Sequence, residues 1–333
     1  MMRLDPGRLG FGAAAIGNLY RAIPDAAAYD VIERAWGVGL RHFDTAPHYG
    51  FGLSEKRLGD ALSALDPGGS AIISTKVGRR LDPVPDADLA RLRQGFVSPE
   101  PYESRFDYGY DAVMRSHEAS LKRLRRDHVD ILYVHDIGRF AHGDAHDARM
   151  RELLDGGLRA LEELRRDGIV KAIGLGVNET AVCLDIMAHA DIDIILLAGR
   201  YTLLEQAALD DLLPLCVKRN VGIVVGGPFN SGILAQGVRH GGPVHYDYGD
   251  PPAAIIDRVR RMELQCDRFD VALGAAALQF PLAHPAVVSI IPGIASPPHL
   301  DSALAWMEMP IPADFWRALR DDGLIDARAP VPD

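Results

Sequence analysis

The sequence predicts an α/β fold, a (β/α)₈ TIM barrel formed by residues 1–333 as a single domain with long loops at the C-terminal face. Short apolar runs alternate with longer amphipathic stretches along almost the whole chain, which indicates a parallel sheet. Several runs are continuously apolar, such as Ile194–Leu197, as expected for strands that are buried on both faces. No GxGxxG follows the first strand, which disfavours the structural alternative, a doubly wound open sheet.

Eight strand candidates and six prominent helix candidates carry this prediction. The strand candidates are Gly10–Ile16, Leu40–Asp44, Ala71–Lys76, Val129–His135, Val170–Leu175, Ile192–Leu197, Gly222–Val225 and Val287–Ile291. The helix candidates are Ala27–Trp36, Glu55–Leu65, Val113–Leu124, Met150–Arg166, Ala207–Arg219 and Ala253–Phe269. Eight strand-helix units are the number that closes such a barrel.

Two long insertions interrupt the alternation. Gly78–Asp107 combines four prolines with Phe96, Tyr102 and Phe106, and these aromatic residues favour a folded lid over a pocket. Pro228–Pro252 is rich in glycine, histidine and tyrosine. Both insertions follow strands, so we expect them at the C-terminal face, where barrel active sites lie.

Composition excludes several classes of protein. The formal net charge of -10 opposes binding to nucleic acid and anionic membranes, and no apolar run reaches the roughly 18 residues of a membrane span. The first residues lack the pattern of a signal peptide, and Cys183, Cys216 and Cys266 are too dispersed for a disulfide framework or zinc site. We therefore expect a cytoplasmic protein without nucleic-acid or membrane partners. The sequence carries no indication of oligomeric state.

Polar side chains crowd the predicted ends of neighbouring strands. Asp44, Lys76 and His135 end the second, third and fourth strands, and Tyr49 lies five residues after Asp44. A charged residue at the end of an apolar strand is costly unless it is paired or used. Because the C-terminal ends of these strands are neighbours in a closed barrel, we expect the four side chains to converge.

This group of residues has a chemical logic. A tyrosine has an ordinary pKa of about 10, and a neighbouring cation favours its phenolate. Lys76 can supply that cation, Asp44 can orient Lys76, and His135 can donate a hydrogen bond to a substrate oxygen. A Schiff base on Lys76 is the rival interpretation, which the pairing with Asp44 and Tyr49 disfavours.

The stretch from His135 to Asp147 is rich in histidine and aspartate and resembles a metal cluster by composition. Its members are His135, Asp136, His142, Asp144, His146 and Asp147. Their spacing fits no zinc pattern. We interpret the stretch beyond His135 as a solvated acidic loop, and we expect no metal.

Seven collinear segments resemble the signature blocks of the aldo-keto reductase family. They are HFDTAPHYG (42–50), GLSEKRLGDAL (52–62), ISTKVG (73–78), SLKRL (120–124), DILYVHD (130–136), IGLGVNE (173–179) and IPG (291–293). The resemblance implies a catalytic tetrad of Asp44, Tyr49, Lys76 and His135. It also implies that Asn178 binds the carboxamide of a nicotinamide cofactor.

The resemblance implies further contacts with cofactor and substrate. The implied cofactor-binding residues are Pro228, Phe229, Asn230, Gly232, Leu234, Pro292, Gly293, Ile294 and His299. The expected substrate-binding residues are Tyr20, His48, Phe106 and Tyr108. Three positions depart from the usual pattern of the family, namely Val177 for serine, Ala198 for glutamine and Gly226 for the tyrosine that stacks on nicotinamide. Phe229 is a candidate to replace that ring.

The blocks 15–20 (AIGNLY) and 227–234 (GPFNSGIL) most resemble the sugar-oxidising branch of the family. This branch includes L-fucose and D-threo-aldose dehydrogenases and pyridoxal 4-dehydrogenase. The resemblance implies oxidation of the anomeric hydroxyl of an aldose to a lactone, with NAD preferred over NADP and a small sugar or aldehyde as partner. The alternatives are pyridoxal oxidation, NADPH-dependent aldehyde or ketone reduction, and a non-catalytic nicotinamide-binding regulatory subunit.

Overall fold

The computed structural model describes residues 5–239 and 241–332. Within them the strands, numbered in chain order, are β1 (Phe11–Gly12), β2 (His42–Asp44), β3 (Ile72–Val77), β4 (Arg79–Pro83), β5 (Tyr102–Phe106), β6 (Ile131–His135), β7 (Ala172–Val177), β8 (Ile194–Ala198), β9 (Gly222–Gly226) and β10 (Val287–Ile291). β4 and β5 form a separate antiparallel hairpin. The other eight strands form one parallel sheet in the order β1-β2-β3-β6-β7-β8-β9-β10.

The sheet closes into a barrel through the backbone on either side of β1. The N–H of Gly10 donates to the carbonyl of Ile290 at 2.9 Å, and the N–H of Gly12 donates to that of Pro292 at 3.0 Å. The predicted (β/α)₈ barrel is thereby confirmed. The first strand is shorter than the predicted Gly10–Ile16, because Ala15–Gly17 turn into a 3₁₀ helix.

Helices follow most of the barrel strands. They are α1 (Asp25–Gly37), α2 (Leu53–Leu65), α3 (Tyr110–Leu124), α4 (Arg139–His142), α5 (His146–Glu152), α6 (Leu158–Arg166), α7 (Ala181–Met187), α8 (Leu212–Arg219), α9 (Ile233–Gln236), α10 (Ala253–Phe269), α11 (Leu273–Gln279), α12 (Pro297–Glu308) and α13 (Ala313–Asp321). A π-helical turn over Leu153–Gly157 joins α5 to α6, so the predicted helix Met150–Arg166 is continuous but irregular.

The two faces of each strand belong to different apolar clusters. Alternate residues such as Ile131, Tyr133 and Ile194 form a small cluster that fills the barrel interior. Their neighbours, such as Leu132 and Ile195, pack outward against the helices in the main core. This double burial explains why the strands read as continuous apolar runs.

The first insertion folds back over the mouth of the barrel. The β4–β5 hairpin pairs Arg79 with Phe106, and the loop between its strands is bonded to the loops beneath it. The N–H of Val97 donates to the carbonyl of Asn18, and that of Glu100 donates to the carbonyl of Gly50, each at 3.0 Å. We call residues 78–107 the lid.

The structure shows the state of the three cysteines and the lengths of the apolar helices. Cys183, Cys216 and Cys266 are buried free thiols on α7, α8 and α10. No helix among the described residues is long and apolar enough to cross a membrane.

Candidate active site

Asp44 and Lys76 form a buried ion pair where β2 and β3 end. Lys76 Nζ donates to Asp44 Oδ2 at 2.7 Å and to the carbonyl of Thr45 at 2.8 Å. Ser74 Oγ donates to the other carboxylate oxygen at 2.8 Å. The lysine stem passes close to Gly176 of β7, where a Cβ would lie 3.3 Å from Lys76 Cε. A side chain at position 176 would therefore crowd Lys76.

Tyr49 lies over this ion pair, as the sequence predicted. The Lys76 ammonium is 4.8 Å from the centre of the Tyr49 ring. The turn that presents Tyr49 depends on Gly50, which has φ +64° and lies against the carbonyl of Gly17. Because a side chain there would meet that carbonyl and the left-handed backbone favours glycine, this turn requires Gly50.

The proton affinity of Tyr49 differs from the sequence-based expectation. Burial raises the pKa of Tyr49 well above its ordinary value, and the carboxylates of Asp44 and Asp136 add to the effect. The guanidinium of Arg79 is a cation that lowers this pKa. The carboxylate of Asp44, 2.7 Å from the Lys76 ammonium, offsets much of the effect of that cation on Tyr49. Tyr49 is therefore protonated near neutral pH.

His135 ends β6 beside Tyr49, with the two ring centres 5.9 Å apart and nearly perpendicular. Burial lowers the pKa of His135 well below its ordinary value, and the cations Arg79 and Lys76 lower it further. The imidazole is therefore neutral near pH 7. Its Nδ1 is buried without a hydrogen-bond partner among the described residues, while its Nε2 lies 3.5 Å from Asp136 Oδ2.

Arg79 and Asp136 form a second buried pair that the sequence analysis missed. Arg79 Nη2 donates to Asp136 Oδ2 at 2.7 Å, and the two side chains are only 15% and 13% exposed. Asp136 therefore does not belong to a solvated loop. The criterion that indicated Lys76 is a charged residue at the end of an apolar strand. The same criterion applies to Arg79, directly after Gly78, and to Asp136, directly after His135.

The solvated-loop interpretation is also wrong for two histidines of that stretch. His142 Nε2 lies 2.9 Å from Tyr108 Oη, and the buried His146 bonds the carbonyl of Ile137 through Nδ1 at 3.1 Å. Asp144 and Asp147 do lie exposed. Among the residues that the structure describes, no group of three or more His, Cys, Asp or Glu side chains could bind a metal.

The four predicted substrate contacts have different surroundings. Tyr20 is 63% exposed beside the lid, and Phe106 is half-buried with the Arg79 guanidinium 4.4 Å from its ring centre. His48 is engaged through both nitrogens, since Nε2 accepts from Arg79 at 3.0 Å and Nδ1 lies 3.1 Å from Ser104 Oγ. Tyr108 is fully buried, so the direct contact expected of it is not available. Its hydroxyl instead donates to the carbonyl of His135 at 2.8 Å.

Two further aromatic residues come to the site from the insertions. Phe96 of the lid is 2% exposed, and its ring centre lies 5.2 Å from that of His48 and 6.3 Å from that of Tyr49. Tyr248 follows β9, and its hydroxyl lies 3.3 Å from Asn178 Oδ1. Neither loop has a regular pattern, so the sequence offered no signal beyond its aromatic content.

The predicted cofactor residues lie along the mouth from β7 to α12. Asn178 Nδ2 donates to Asp136 Oδ1 at 3.2 Å, which joins this residue to the tetrad. Phe229 packs edge-on against Trp306 at 5.6 Å, and Asn230 bonds Thr202 and Gly199, joining the loops after β8 and β9. Gly293 and His299 are exposed, whereas Pro228, Leu234, Pro292 and Ile294 are buried and Gly232 is half-buried.

The fold and the site define a class of enzyme: a TIM barrel in which a buried tyrosine, a histidine and a lysine-carboxylate pair converge at the C-terminal mouth. The chain belongs to the aldo/keto reductase family, whose model matches residues 8–321. It is therefore an NAD(P)-dependent oxidoreductase.

Characterised relatives match nearly the whole chain. It is 45% identical over 327 residues to a pyridoxal 4-dehydrogenase of Microbacterium luteolum, covering 95% of this chain and 94% of the relative. It is 41% identical over 321 residues to a D-threo-aldose 1-dehydrogenase of a Pseudomonas species, with the same coverage of both chains.

Solved structures share the fold at lower identity. The holo form of an aldo-keto reductase from Bacillus halodurans superposes with a TM-score of 0.72 at 23% identity, covering 97% of this chain and 93% of that one. A glycerol dehydrogenase from Gluconobacter oxydans gives 0.73 at 21% identity, with coverage of 98% and 94%. At this level of identity, the similarity to these structures shows the shared fold alone.

Proposed function

We propose that the protein oxidises the hydroxyl of a cyclic hemiacetal to a lactone, with an aldose as the first candidate substrate and the hemiacetal of pyridoxal as the second. The observation that carries the proposal is the convergence of Tyr49, Lys76, Asp44 and His135 at one mouth of the barrel. The two relatives named for aldose and pyridoxal oxidation support this substrate class. Both substrates offer a carbon that carries a hydroxyl group and a hydrogen.

The residues have distinct roles in this reaction. Tyr49, once deprotonated, takes the proton of the substrate hydroxyl as the carbon loses hydride and becomes a carbonyl carbon. His135, neutral and next to Tyr49, orients the hydroxyl by a hydrogen bond. The ammonium of Lys76, held by Asp44, stabilises negative charge on Tyr49 during the transfer.

The donor set fits a nicotinamide dinucleotide, which when bound would accept the hydride. Asn178 offers an amide next to the tetrad, and Ala198 and Gly226 keep the neighbouring strand ends small. A Cβ built on the exposed Gly293 has no atom within 4 Å, so the backbone there is open to a ligand. Asn178 would bind the carboxamide, and the segments 228–234 and 292–299 would bind the rest.

Tyr49→Phe tests the proposal. The ring and its packing remain while the proton carrier is lost, so we expect at least a 100-fold fall in kcat, about 2.7 kcal/mol of barrier, with NADH affinity nearly unchanged. A panel of aldoses and pyridoxal measures turnover, and Tyr29→Phe on α1 is the matched control. Retention of more than a tenth of the wild-type rate would rule out Tyr49 as the proton carrier.

We also propose a preference for NAD over NADP. The resemblance to the family places Gly293 and the exposed His299 at the two positions where its NADP-dependent members carry basic residues, and neither residue is a permanent cation. Helix α12 begins with Pro297 and Pro298, which lack N–H groups, so its N-terminus offers a phosphate fewer donors. The nearby Arg34 is paired with Asp301 at 3.0 Å.

The ratio of kcat/KM for the two cofactors at fixed substrate measures the preference. We expect it to favour NAD, and we expect Asp301→Ala, which releases Arg34, to improve NADP relative to NAD. A wild-type ratio in favour of NADP would place the phosphate on other residues.

Reduction of an aldehyde or ketone is the second candidate function, and the raised pKa of Tyr49 favours it. A protonated tyrosine is ready to give its proton to a carbonyl oxygen, whereas oxidation requires the phenolate. We therefore expect oxidation to accelerate as the pH rises and reduction to slow. Comparison of kcat/KM in the two directions at neutral pH decides between them.

A further inference from the structure

The Arg79–Asp136 pair lies between the residues expected to contact the substrate and the residue expected to bind the nicotinamide. Besides binding each other at 2.7 Å, the two residues reach different neighbours. Arg79 Nη1 lies 3.0 Å from His48 Nε2, and Asp136 reaches both His135 and Asn178. One buried carboxylate therefore adjoins the residue expected to orient the substrate oxygen and the residue expected to hold the nicotinamide.

The charge on Asp136 determines how Asn178 is oriented. An ionised carboxylate only accepts hydrogen bonds, so the Asn178 group that faces Asp136 Oδ1 at 3.2 Å must be the NH₂ group. Asn178 Oδ1 then faces the opposite way, toward the hydroxyl of Tyr248 on an exposed loop. Because a carbonyl oxygen has two lone pairs, Oδ1 can accept from a carboxamide NH₂ as well as from Tyr248.

The same carboxylate favours one tautomer of His135. Asp136 Oδ2 is 3.5 Å from His135 Nε2, whereas Nδ1 is buried without a partner among the described residues. The proton of the neutral ring is therefore stabilised on Nε2. At 3.5 Å the carboxylate attracts this proton without forming a hydrogen bond, so the Nε2–H group can donate to a substrate oxygen.

The backbone at Asp136 is fixed in a demanding conformation. Its φ of +51° lies in the left-handed region, which a non-glycine residue adopts at some strain. Its N–H donates to the carbonyl of Gly176 at 2.9 Å, and its own carbonyl accepts from the hydroxyl of Tyr108 at 3.1 Å. These bonds tie the carboxylate to β7 and to the segment after the lid.

The pair also contributes opposite charges near Tyr49. The titratable groups around Tyr49 are Asp44, Lys76, His48, His135, Arg79, Asp136 and the hydroxyls of Tyr20 and Tyr248. Within this set Asp136 raises the pKa of Tyr49, and Arg79 lowers it. Removal of Asp136 should therefore lower the pKa of Tyr49, and removal of Arg79 should raise it.

We propose that Arg79 and Asp136 are a positioning pair, which orients Asn178 toward the nicotinamide and His135 toward the substrate oxygen and balances the charge beside Tyr49. The proposal rests on the proposed function, since it assigns these roles to Asn178, His135 and Tyr49. The lid supplies one member through β4 and the barrel supplies the other directly after β6. The pair thereby connects the lid hairpin directly to the catalytic residues.

Single and double substitutions test the pair. Asp136→Asn keeps the shape and a residue type that tolerates a left-handed backbone, and Arg79→Gln removes the cation. Arg80→Gln and Asp82→Asn are matched controls, because they break a more exposed ion pair of 2.6 Å on the same hairpin. The double variant Arg79→Gln/Asp136→Asn leaves no lone buried charge, so it remains informative if a single variant folds poorly.

Two readouts decide the outcome. In NADH titrations followed by nicotinamide fluorescence, Asp136→Asn and the double variant should bind about fivefold more weakly, as for one lost oriented hydrogen bond, and the controls should not change. In pH profiles of oxidation, the ascending limb, which reports deprotonation of Tyr49, should move to lower pH in Asp136→Asn and to higher pH in Arg79→Gln. The double variant should return toward wild type, since its net charge is unchanged.

The contrary results are distinct. The proposal would be overturned, in favour of a merely structural pair, if the pH profiles of Arg79→Gln and Asp136→Asn shifted in the same direction. It would also be overturned if these two variants and the two controls, Arg80→Gln and Asp82→Asn, behaved alike. A rise in KM alone, with NADH affinity and both pH limbs unchanged, would make Asp136 a direct substrate contact and would also overturn it. If no hemiacetal is oxidised by the wild type, the proposed function fails, and the NADH titration still decides the orientation of Asn178.

Discussion

Replacement of Lys76 by methionine separates the structural role of the Asp44–Lys76 pair from its chemical role. Methionine fills similar volume but leaves Asp44 without its cation. The side chains of Lys76 and Asp44 are 2% and 5% exposed, so water cannot replace the lost partner. Loss of one member of such a buried pair costs about 3–5 kcal/mol, whereas an exposed pair contributes at most about 1 kcal/mol.

This free energy predicts a measurable fall in the melting temperature. For a chain of 333 residues the entropy of unfolding is about 0.7 kcal/mol/K, so Lys76→Met should lower the Tm by about 4–7 °C. The exposed pair Lys56–Asp60, 3.3 Å apart, supplies the control, and Lys56→Met should lower the Tm by no more than about 1.5 °C.

A double variant tests the physical reason. Asp44→Leu/Lys76→Met removes both charges and should recover most of the lost stability, while both variants of the pair remain inactive because the tetrad is broken. Differential scanning calorimetry measures the stability, and turnover of a hemiacetal measures the activity. A double variant no more stable than Lys76→Met, or a Lys76→Met that melts like the control, would refute the reasoning.

Two further predictions follow from buried groups near the site. Phe96→Ala removes the ring that covers His48 and Tyr49, so the KM for substrate should rise about tenfold; Leu92→Ala, at a 58% exposed position of the same lid, should leave it unchanged. The pKa of the fully buried His42 is lowered to about 4. Between about pH 6.5 and pH 4 the unfolded state therefore binds more protons than the folded state, so the free energy of unfolding falls as the pH falls through that window. His42 contributes about 3 kcal/mol to that loss, and His42→Gln should shrink the difference in Tm between pH 7 and pH 4.5; an unchanged difference would show that other groups control the acid limb.

The sequence determined the barrel and the residues at its strand ends. Asp44, Lys76 and His135 could be predicted to converge because a closed parallel barrel brings the C-terminal ends of its strands to one mouth. Tyr49 followed from its short distance to Asp44 along the chain. These inferences use only strand order and strand period, which the pattern of apolar residues encodes locally.

The lid was predictable as a folded insertion but not in its contacts. Phe96 lies against Tyr49 because the backbone of residues 95–100 bonds the loops that carry Tyr20, Asn18 and Gly50. These bonds join segments that are far apart in the chain and have no shared period. The burial of Tyr108, whose hydroxyl binds the carbonyl of His135, depends on the same packing.

The charge balance of the site was decided by the tertiary structure alone. From the sequence, Lys76 is the cation nearest to Tyr49, and the pKa of Tyr49 is expected to fall. In the folded chain Asp44 lies against that ammonium, burial raises the pKa, and Arg79 from the lid hairpin becomes an opposing cation. Pairing and desolvation depend on which groups meet and how much water they lose, and neither quantity is set by the order of residues along one strand.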